Sequence, residues 1–552
     1  HLHFESSGEA IDRDTLLELA DQVRLLALVP LLYAHTAATV ARLARAVGEH
    51  AVAVGLFQNA VQALPRVARH ELERRGQEDR LGSYAGLMSE VVDAHLQVND
   101  VTGAVEMAEL GRGVLLSAQL DARTDLTELR RIWPDLAERF EALQDELTIA
   151  PLTRSGAEFS AETTAHLGRV RVTRGWLRDA DWHRVMADIR KLDGFEHFLA
   201  PPRWVDLVPA ASDGAVVLIN VSPHRADAIL LRSGTTAPVA VELDHLTLAD
   251  VRSHAVNLLR ACAVGGEGSP DLEQVIPDVL AWLWDTVAEP VLIALGHTRP
   301  PSPTEPWPRL WWVPTGLLGI FPLHAAGLPA GESTLDRVIS SYTPTIRALV
   351  QTRRRCVGAR RHLTVAMQHT PGQADLPGAV AEAAVLNAHY PDAVMLTNHE
   401  ATTDRVLAAL PDATWAHFAC HAVNNTTAPS RSGLLLHDRS LPLPDIARLE
   451  VQDAELAYLS ACSTAQTSLR IPDEAIHLAS AFQLAGYRHV IATLWPLHDT
   501  LAAYAAQRFY QLLSDTPDAG PSATILHRLT RELRDQYPDQ PSLWAPLIHS
   551  GP

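Results

Sequence analysis

Thr414-Trp415-Ala416-His417-Phe418-Ala419-Cys420-His421 and Leu456-Ala457-Tyr458-Leu459-Ser460-Ala461-Cys462-Ser463-Thr464 are two short apolar runs, each closing on a residue able to do chemistry. An almost uninterrupted apolar run of this length, bounded by polar residues, predicts a strand covered on both faces, as in a parallel sheet with helices on either side. Chemistry in open α/β sheets collects at the carboxyl ends of the strands. If the two strands are neighbours, His421 and Cys462 face one cleft, which suits a thiol nucleophile and its base.

The flanking sequence extends the same pattern. Upstream, a strand is predicted at 362–367, a helix at 379–389, a short strand at 393–396, and a helix at 404–410 with Thr402 or Thr403 as its N-cap. Downstream follow a helix at 474–485, a strand at 490–494 and a helix at 500–513. Such alternation predicts a mostly parallel sheet with helices on both faces. Further upstream the period changes. Three runs at 215–221, 227–232 and 239–243, separated by turn residues, predict an antiparallel meander, and two helices at 248–264 and 272–287 follow. A proline-rich loop then leads to a strand at 309–314. The glycine-rich stretch 316–327 contains His324 but has no nearby nucleophile, so it reads as a packed loop whose histidine hydrogen-bonds within the fold.

From Asp14 to about Leu147 apolar residues recur at spacings of three and four, which predicts helix throughout. Residues 51–65 look like the second helix of a tetratricopeptide unit, and 83–98 with 102–116 like a full helical hairpin, in an irregular array of two or three units. A helical connector with Trp176 and Trp182 as core anchors follows. The domains expected are 10–150, helical repeats; 151–265, connector and meander; and 266–355 and 356–552, two portions of an α/β unit.

At 552 residues the chain is too long for one core. Its 47% hydrophobic and 20% charged residues fit a soluble globular protein, and no run of about 18 uncharged apolar residues predicts a membrane span. It opens on His1-Leu2-His3 with no signal peptide, which suggests an internal fragment. Cys262, Cys356, Cys420 and Cys462 show no paired spacing, so a reducing, cytoplasmic compartment is expected. The net charge of −19 disfavours nonspecific nucleic-acid binding. Lys191 is the single lysine, so 45 of the 46 basic residues are arginine, a bias expected of a GC-rich bacterial genome. A phosphate-binding loop ending in Gly-Lys is therefore absent, and Lys191 alone would have to serve any lysine-based mechanism.

Four segments, His417-Phe418-Ala419-Cys420-His421, Leu459 to Thr464, Asp473-Glu474-Ala475-Ile476-His477-Leu478-Ala479-Ser480-Ala481-Phe482, and Leu494-Trp495-Pro496-Leu497-His498-Asp499, resemble the CHAT domain. That is a caspase-like and separase-like protease domain usually found behind tetratricopeptide repeats. The resemblance covers roughly the last half of the chain. It implies a fold of N-terminal helical repeats followed by a caspase-like α/β domain, with 266–355 as a preceding pseudo-protease portion and 356–552 as the catalytic portion. It makes His421 and Cys462 the catalytic dyad and implies no cofactor. The family usually reads Cys-His-Gly after the first strand, and here Ala422 takes the place of the glycine. Alanine is strained there only if that position needs φ > 0.

The expected chemistry follows. Histidine lowers the thiol pKa and later protonates the leaving amine. The backbone amides of Ala422 and Cys462 are the oxyanion-hole candidates. The separation of 41 residues is near the roughly 50 of caspases and unlike that of papain-type enzymes. Asp473, Glu474 and Asp499 are the candidates for a pocket that selects Arg or Lys before the scissile bond; alternatively the two aspartates cap helices. A zinc site from His417, Cys420, His421 and Cys462 is disfavoured because alternate residues of a strand point to opposite faces; Cys420 is expected to be a buried core thiol. The partners expected are a protein substrate and a protein regulator bound through the repeats, with no nucleic acid or membrane. The alternative reading is an inactive caspase-like scaffold that binds protein.

Overall fold

The computed structural model of the chain describes residues 13–24, 26, 30–67, 82–112, 129–148, 181, 184–193, 195, 198, 202–265, 270–329, 331–354, 358–425, 428–451, 453–461, 464–465, 477–514, 516 and 518–552. Its first part is helical, as the 3.6-residue period predicts: α1 (Arg13–Arg24), α2 (Pro30–Ala46), α3 (His50–Val67), α4 (Leu87–Gln97), α5 (Val101–Gly111) and α6 (Pro134–Thr148). Alanines at 34, 37, 38, 41 and 44 of α2 and Phe57, Ala60 and Val61 of α3 are buried, so small side chains let these helices approach closely. The Asp100 side chain caps α5 by accepting the Gly103 N–H. Trp176 and Trp182 lie outside the described residues.

The meander follows as β1 (Ala215–Val221), β2 (Ala226–Leu231) and β3 (Val239–Glu242), then α7 (Leu248–Gly265), α8 (Pro270–Leu283), β4 (Arg309–Pro314), β5 (Ile339–Tyr342) and α9 (Ile346–Arg354). The remainder alternates: β6 (His362–Ala366), α10 (Pro377–His389), β7 (Val394–Thr397), α11 (Thr403–Ala409), β8 (Trp415–Ala419), β9 (Ala422–Val423), β10 (Gly433–Leu435), β11 (Ser440–Pro442), β12 (Leu456–Ser460), α12 (Leu478–Ala485), β13 (His489–Thr493), α13 (Asp499–Leu513), α14 (Ser522–Gln536) and β14 (Leu547–Ser550). The Thr402 side chain accepts the Arg405 N–H at the start of α11, the cap read from the sequence.

Eleven strands form one sheet in the order β3-β2-β1-β4-β5-β14-β13-β12-β8-β6-β7. Only the β1–β2, β2–β3 and β13–β14 pairs are antiparallel. The sequence boundaries at 265 and 355 thus fall within a single sheet. β14 makes the connection, antiparallel to β13 on one side and parallel to β5 on the other. A buried polar chain crosses there: Ser341 Oγ lies 2.8 Å from His549 Nδ1, and His549 Nε2 lies 3.0 Å from His489 Nδ1. Among the described residues no helix is long and apolar enough to cross a membrane.

The helical part is fastened to the sheet by buried polar contacts. Glu109 of α5 accepts the N–H groups of Ile346 and Arg347, at 2.8 and 3.0 Å, and so caps α9 from another part of the chain. Burial pushes its carboxyl upward, while those two amides, Arg112 and Arg347 pull it down. Ser222 donates to Asp93 of α4 at 2.7 Å, and Arg45 of α2 pairs with the same carboxylate. The Asn220 amide donates to the Ser89 carbonyl at 3.1 Å.

Two outcomes follow. Glu109→Ala leaves two buried N–H groups of α9 without acceptors, a loss of about 2–6 kcal/mol at about 1–3 kcal/mol per orphaned group, readable by urea denaturation. Acid destabilises the sheet junction: burial holds His324 and His489 down to about 3 and His549 well below its ordinary value of 6.5. Unfolded histidines take protons near 6.5 and these folded ones do not, so the stability present above 6.5 is lost progressively as pH falls toward about 3. The slope is up to about 1.4 kcal/mol per pH unit per histidine. The combined His489→Gln and His549→Gln exchange flattens that slope in denaturation midpoints between pH 7 and 5.

Candidate active site

β8 and β12 lie side by side in parallel, in register from Trp415 opposite Leu456 to Ala419 opposite Ser460. His421 stands two residues past Ala419, and Cys462 two residues past Ser460. Cys462 itself lies outside the described residues, as do Asp473 and Glu474. The chain on either side of Cys462 is held by one residue of β13. Thr493 Oγ1 donates to the Ala461 carbonyl at 2.8 Å, and the Thr493 N–H donates to Thr464 Oγ1 at 3.0 Å. The Ala465 N–H also donates to the Thr493 carbonyl. Thr464 and Thr493 are buried, so these bonds are shielded from competing water.

His421 is half-buried, and its Nε2 lies 2.8 Å from the carbonyl oxygen of Ala374, in the loop between β6 and α10. A carbonyl can only accept, so Nε2 carries a proton, and in a neutral ring the lone pair is then on Nδ1. Cys420 is buried at 1% exposure, as a core thiol should be. Ala422 opens β9 and pairs with Leu434, while the Leu435 N–H donates to the His421 carbonyl at 2.8 Å. In an antiparallel pair of this kind the Ala422 N–H turns away from β10. Asn99, Asn398 and Asp453 are the non-glycine residues with positive φ among those described. Alanine at 422 therefore carries no left-handed strain.

Beside His421, at the carboxyl ends of β8, β12 and β13, is a cavity of about 40 Å³ walled by Leu376, Glu382, Ser460, Leu497 and Asp499. Of the three pocket candidates read from the sequence, Asp499 is thus placed at the cleft. It occupies the first turn of α13, whose N-cap is His498, so it does not cap its own helix. Its carboxylate instead accepts the Gly378 N–H of α10 at 2.6 Å. A Cβ on Gly378 would sit 2.6 Å from Asp499 Oδ1, which is why only glycine fits there.

Sequence reasoning missed Glu382, Thr493 and Ala374. Glu382 is 3% exposed and accepts from Ser460 Oγ at 2.9 Å. Its other oxygen is 2.9 Å from His417 Nε2, though not aligned for a hydrogen bond. His417 Nδ1 is 3.2 Å from the Tyr510 hydroxyl and its ring stacks on Tyr458. Burial, followed by the charge of Glu382, pushes the Tyr458 phenol upward. The signal was available: Glu382 is the one acidic residue of α10 and shares a helical face with Ala379, Ala383 and Leu386, all buried. His324, by contrast, is a packed residue, with Nδ1 3.0 Å from the Tyr342 hydroxyl. Among the described residues no group of three or more His, Cys, Asp and Glu could hold a metal ion.

No curated protein matches this chain. Two crystal structures of the Saccharomyces cerevisiae separase–securin complex, at 3.0 and 2.6 Å, are similar to it at 9% and 10% identity, each with a TM-score of 0.45. They cover 98% of this chain, which spans about half the length of theirs, 48% and 49%. The model of the CHAT domain matches residues 277–552. Through that half, which carries both strands of the candidate site, the chain belongs to the CHAT domain family.

Proposed function

We propose that this chain is a cysteine endopeptidase of the caspase and separase type, with His421 and Cys462 as its dyad. The observation that carries the reading is the register of β8 on β12, because each reactive residue follows a paired position by the same two residues. His421 Nδ1 takes the thiol proton, the Cys462 thiolate attacks the scissile carbonyl, and His421 returns the proton to the leaving amine. The Ala374 carbonyl holds the ring through Nε2–H and stabilises the imidazolium. The amides of Ala422 and Cys462 receive the oxyanion. Water activated by the same histidine then releases the acyl group.

A basic residue before the scissile bond fits a cavity with Asp499 at its wall, and Asp473 and Glu474 are further candidates for its binding. Residues 10–150 act as tetratricopeptide-like repeats that bind a protein regulator or target the enzyme, and Glu109 ties them to α9 of the pseudo-protease portion. Residues 356–552 form the catalytic portion. A thiol nucleophile works in a reducing compartment, in keeping with a bacterial cytoplasm.

Labelling with a trace of iodoacetamide between pH 5 and 9, read by mass spectrometry at each of the four cysteines, tests the dyad. Cys462 is expected to label selectively below pH 7 and to lose that reactivity about tenfold or more in His421→Ala. Equal, slow labelling of all four would favour a protein-binding scaffold. Cys462→Ala is expected to abolish cleavage in an Arg/Lys-centred peptide library while leaving the thermal unfolding midpoint unchanged.

A further inference from the structure

We propose that a second cavity, at the amino ends of β6, β7 and β8, binds a free α-amino acid with an apolar side chain, its carboxylate held by Arg360 and Arg361 and its ammonium by Asp392 and Asp412. The site lies at the end of these strands away from His421. Its ligand is independent of the peptidase reading, since no residue of the dyad takes part.

The cavity measures about 450 Å³, against about 40 Å³ beside His421, and falls within the range of about 300–1,000 Å³ typical of small-molecule sites. It opens where three neighbouring strands begin, with β6 lying between β8 and β7. The loop from α10 to β7 brings Tyr390 and Asp392 to one side, and the turn from α11 to β8 brings Asp412 to the other. Arg360 and Arg361, immediately before β6, stand between them.

Four charges meet here without neutralising one another. Arg360 donates to the Thr516 carbonyl at 3.2 Å, and its guanidinium lies 4.1 Å over the Trp415 ring and 5.7 Å from that of Tyr390. Arg361 donates through Nε to the Asp412 carbonyl at 2.5 Å. These partners are neutral, so each guanidinium keeps its charge and has further N–H groups to give. Among the described residues neither arginine forms an ion pair, and the carboxylates of Asp392 and Asp412 have no partner. On the adjoining surface charges do pair, Arg405 with Glu400 and Arg439 with Asp404.

Two open signs in one cavity suit a ligand that carries both. Guanidinium groups match the planar geometry of a carboxylate. Helix α10 ends at His389, so its last carbonyls add partial negative charge on the side of Asp392, where an ammonium is favoured. Neighbouring strands are about 4.8 Å apart, a span that one amino acid covers because its two charged groups share a carbon. His362 stacks on Tyr390 with ring centroids 3.7 Å apart and contributes no charge, because burial, followed by Arg360 and His417, holds it down to about 3. Leu363, Pro391 and Val394 supply apolar wall. Val394 is 52% exposed, a surface that an apolar side chain would cover.

L-Phenylalanine titrated into the full chain by calorimetry is expected to bind saturably at one site. N-acetyl-L-phenylalanine, which lacks the ammonium, and L-phenylalaninamide, which lacks the carboxylate, are each expected to bind at least about tenfold more weakly. Arg361→Gln and Asp392→Asn, both at exposed positions, are each expected to weaken L-phenylalanine about tenfold while leaving the thermal unfolding midpoint unchanged. Photo-leucine, a diazirine amino acid that keeps both charges, is expected to crosslink within 389–394 or 409–413. Absence of saturable binding, equal binding of either singly charged analogue, unchanged affinity in either folded variant, or crosslinks confined to other segments would overturn the assignment.

Discussion

The parallel pairing of β8 with β12 is the constraint on which the rest of the site depends. Two strands buried on both faces cannot slip without moving Trp415, Phe418, Tyr458 and Leu459 out of their packing, because a shift of one residue turns every side chain to the other face. Fixed register means fixed ends. β8 and β12 therefore end side by side at Ala419 and Ser460, and Thr493 on the next strand holds Ala461 and Thr464. Such rigid support suits chemistry that tolerates little misplacement.

A second constraint lies at β14. A sheet of this size would otherwise end at β13 on one side and β5 on the other, each an open edge. The four residues Leu547–Ser550 close both, and the Trp311 indole donates to the Gly551 carbonyl at 2.8 Å just beyond them. The two halves thus share one hydrogen-bonded frame rather than a mobile interface. Helix α5 bears on that frame through Glu109, so the helical part is coupled to the N-terminus of α9 by the polarity of a helix end as well as by packing.

Much of this architecture was legible in the sequence because burial writes itself into composition. The runs at 215–221 and 309–314 coincide with β1 and β4, the run at 362–367 differs from β6 by one residue at its end, and the run at 490–494 is offset from β13 by one residue at each end. Thr402 reads as a cap because a hydroxyl before a helix has one obvious use. Asp499 lines the cavity beside His421, yet its partner, Gly378, is 121 positions away, and no local pattern could have supplied it.

The sequence by itself determined the elements, the family and the pair of residues that close two apolar runs, since local periodicity and short motifs are properties of neighbouring residues. Only the tertiary structure decided that the meander and the strands leading to His421 and Cys462 share one sheet. It alone decided that the Ala374 carbonyl meets His421 and that α10 brings Glu382 to the wall of the cavity. The physical reason is the range of the interactions. Side-chain alternation acts over a few positions, whereas strand pairing, helix packing and the cost of a buried charge depend on groups that meet only when distant parts of the chain are folded together.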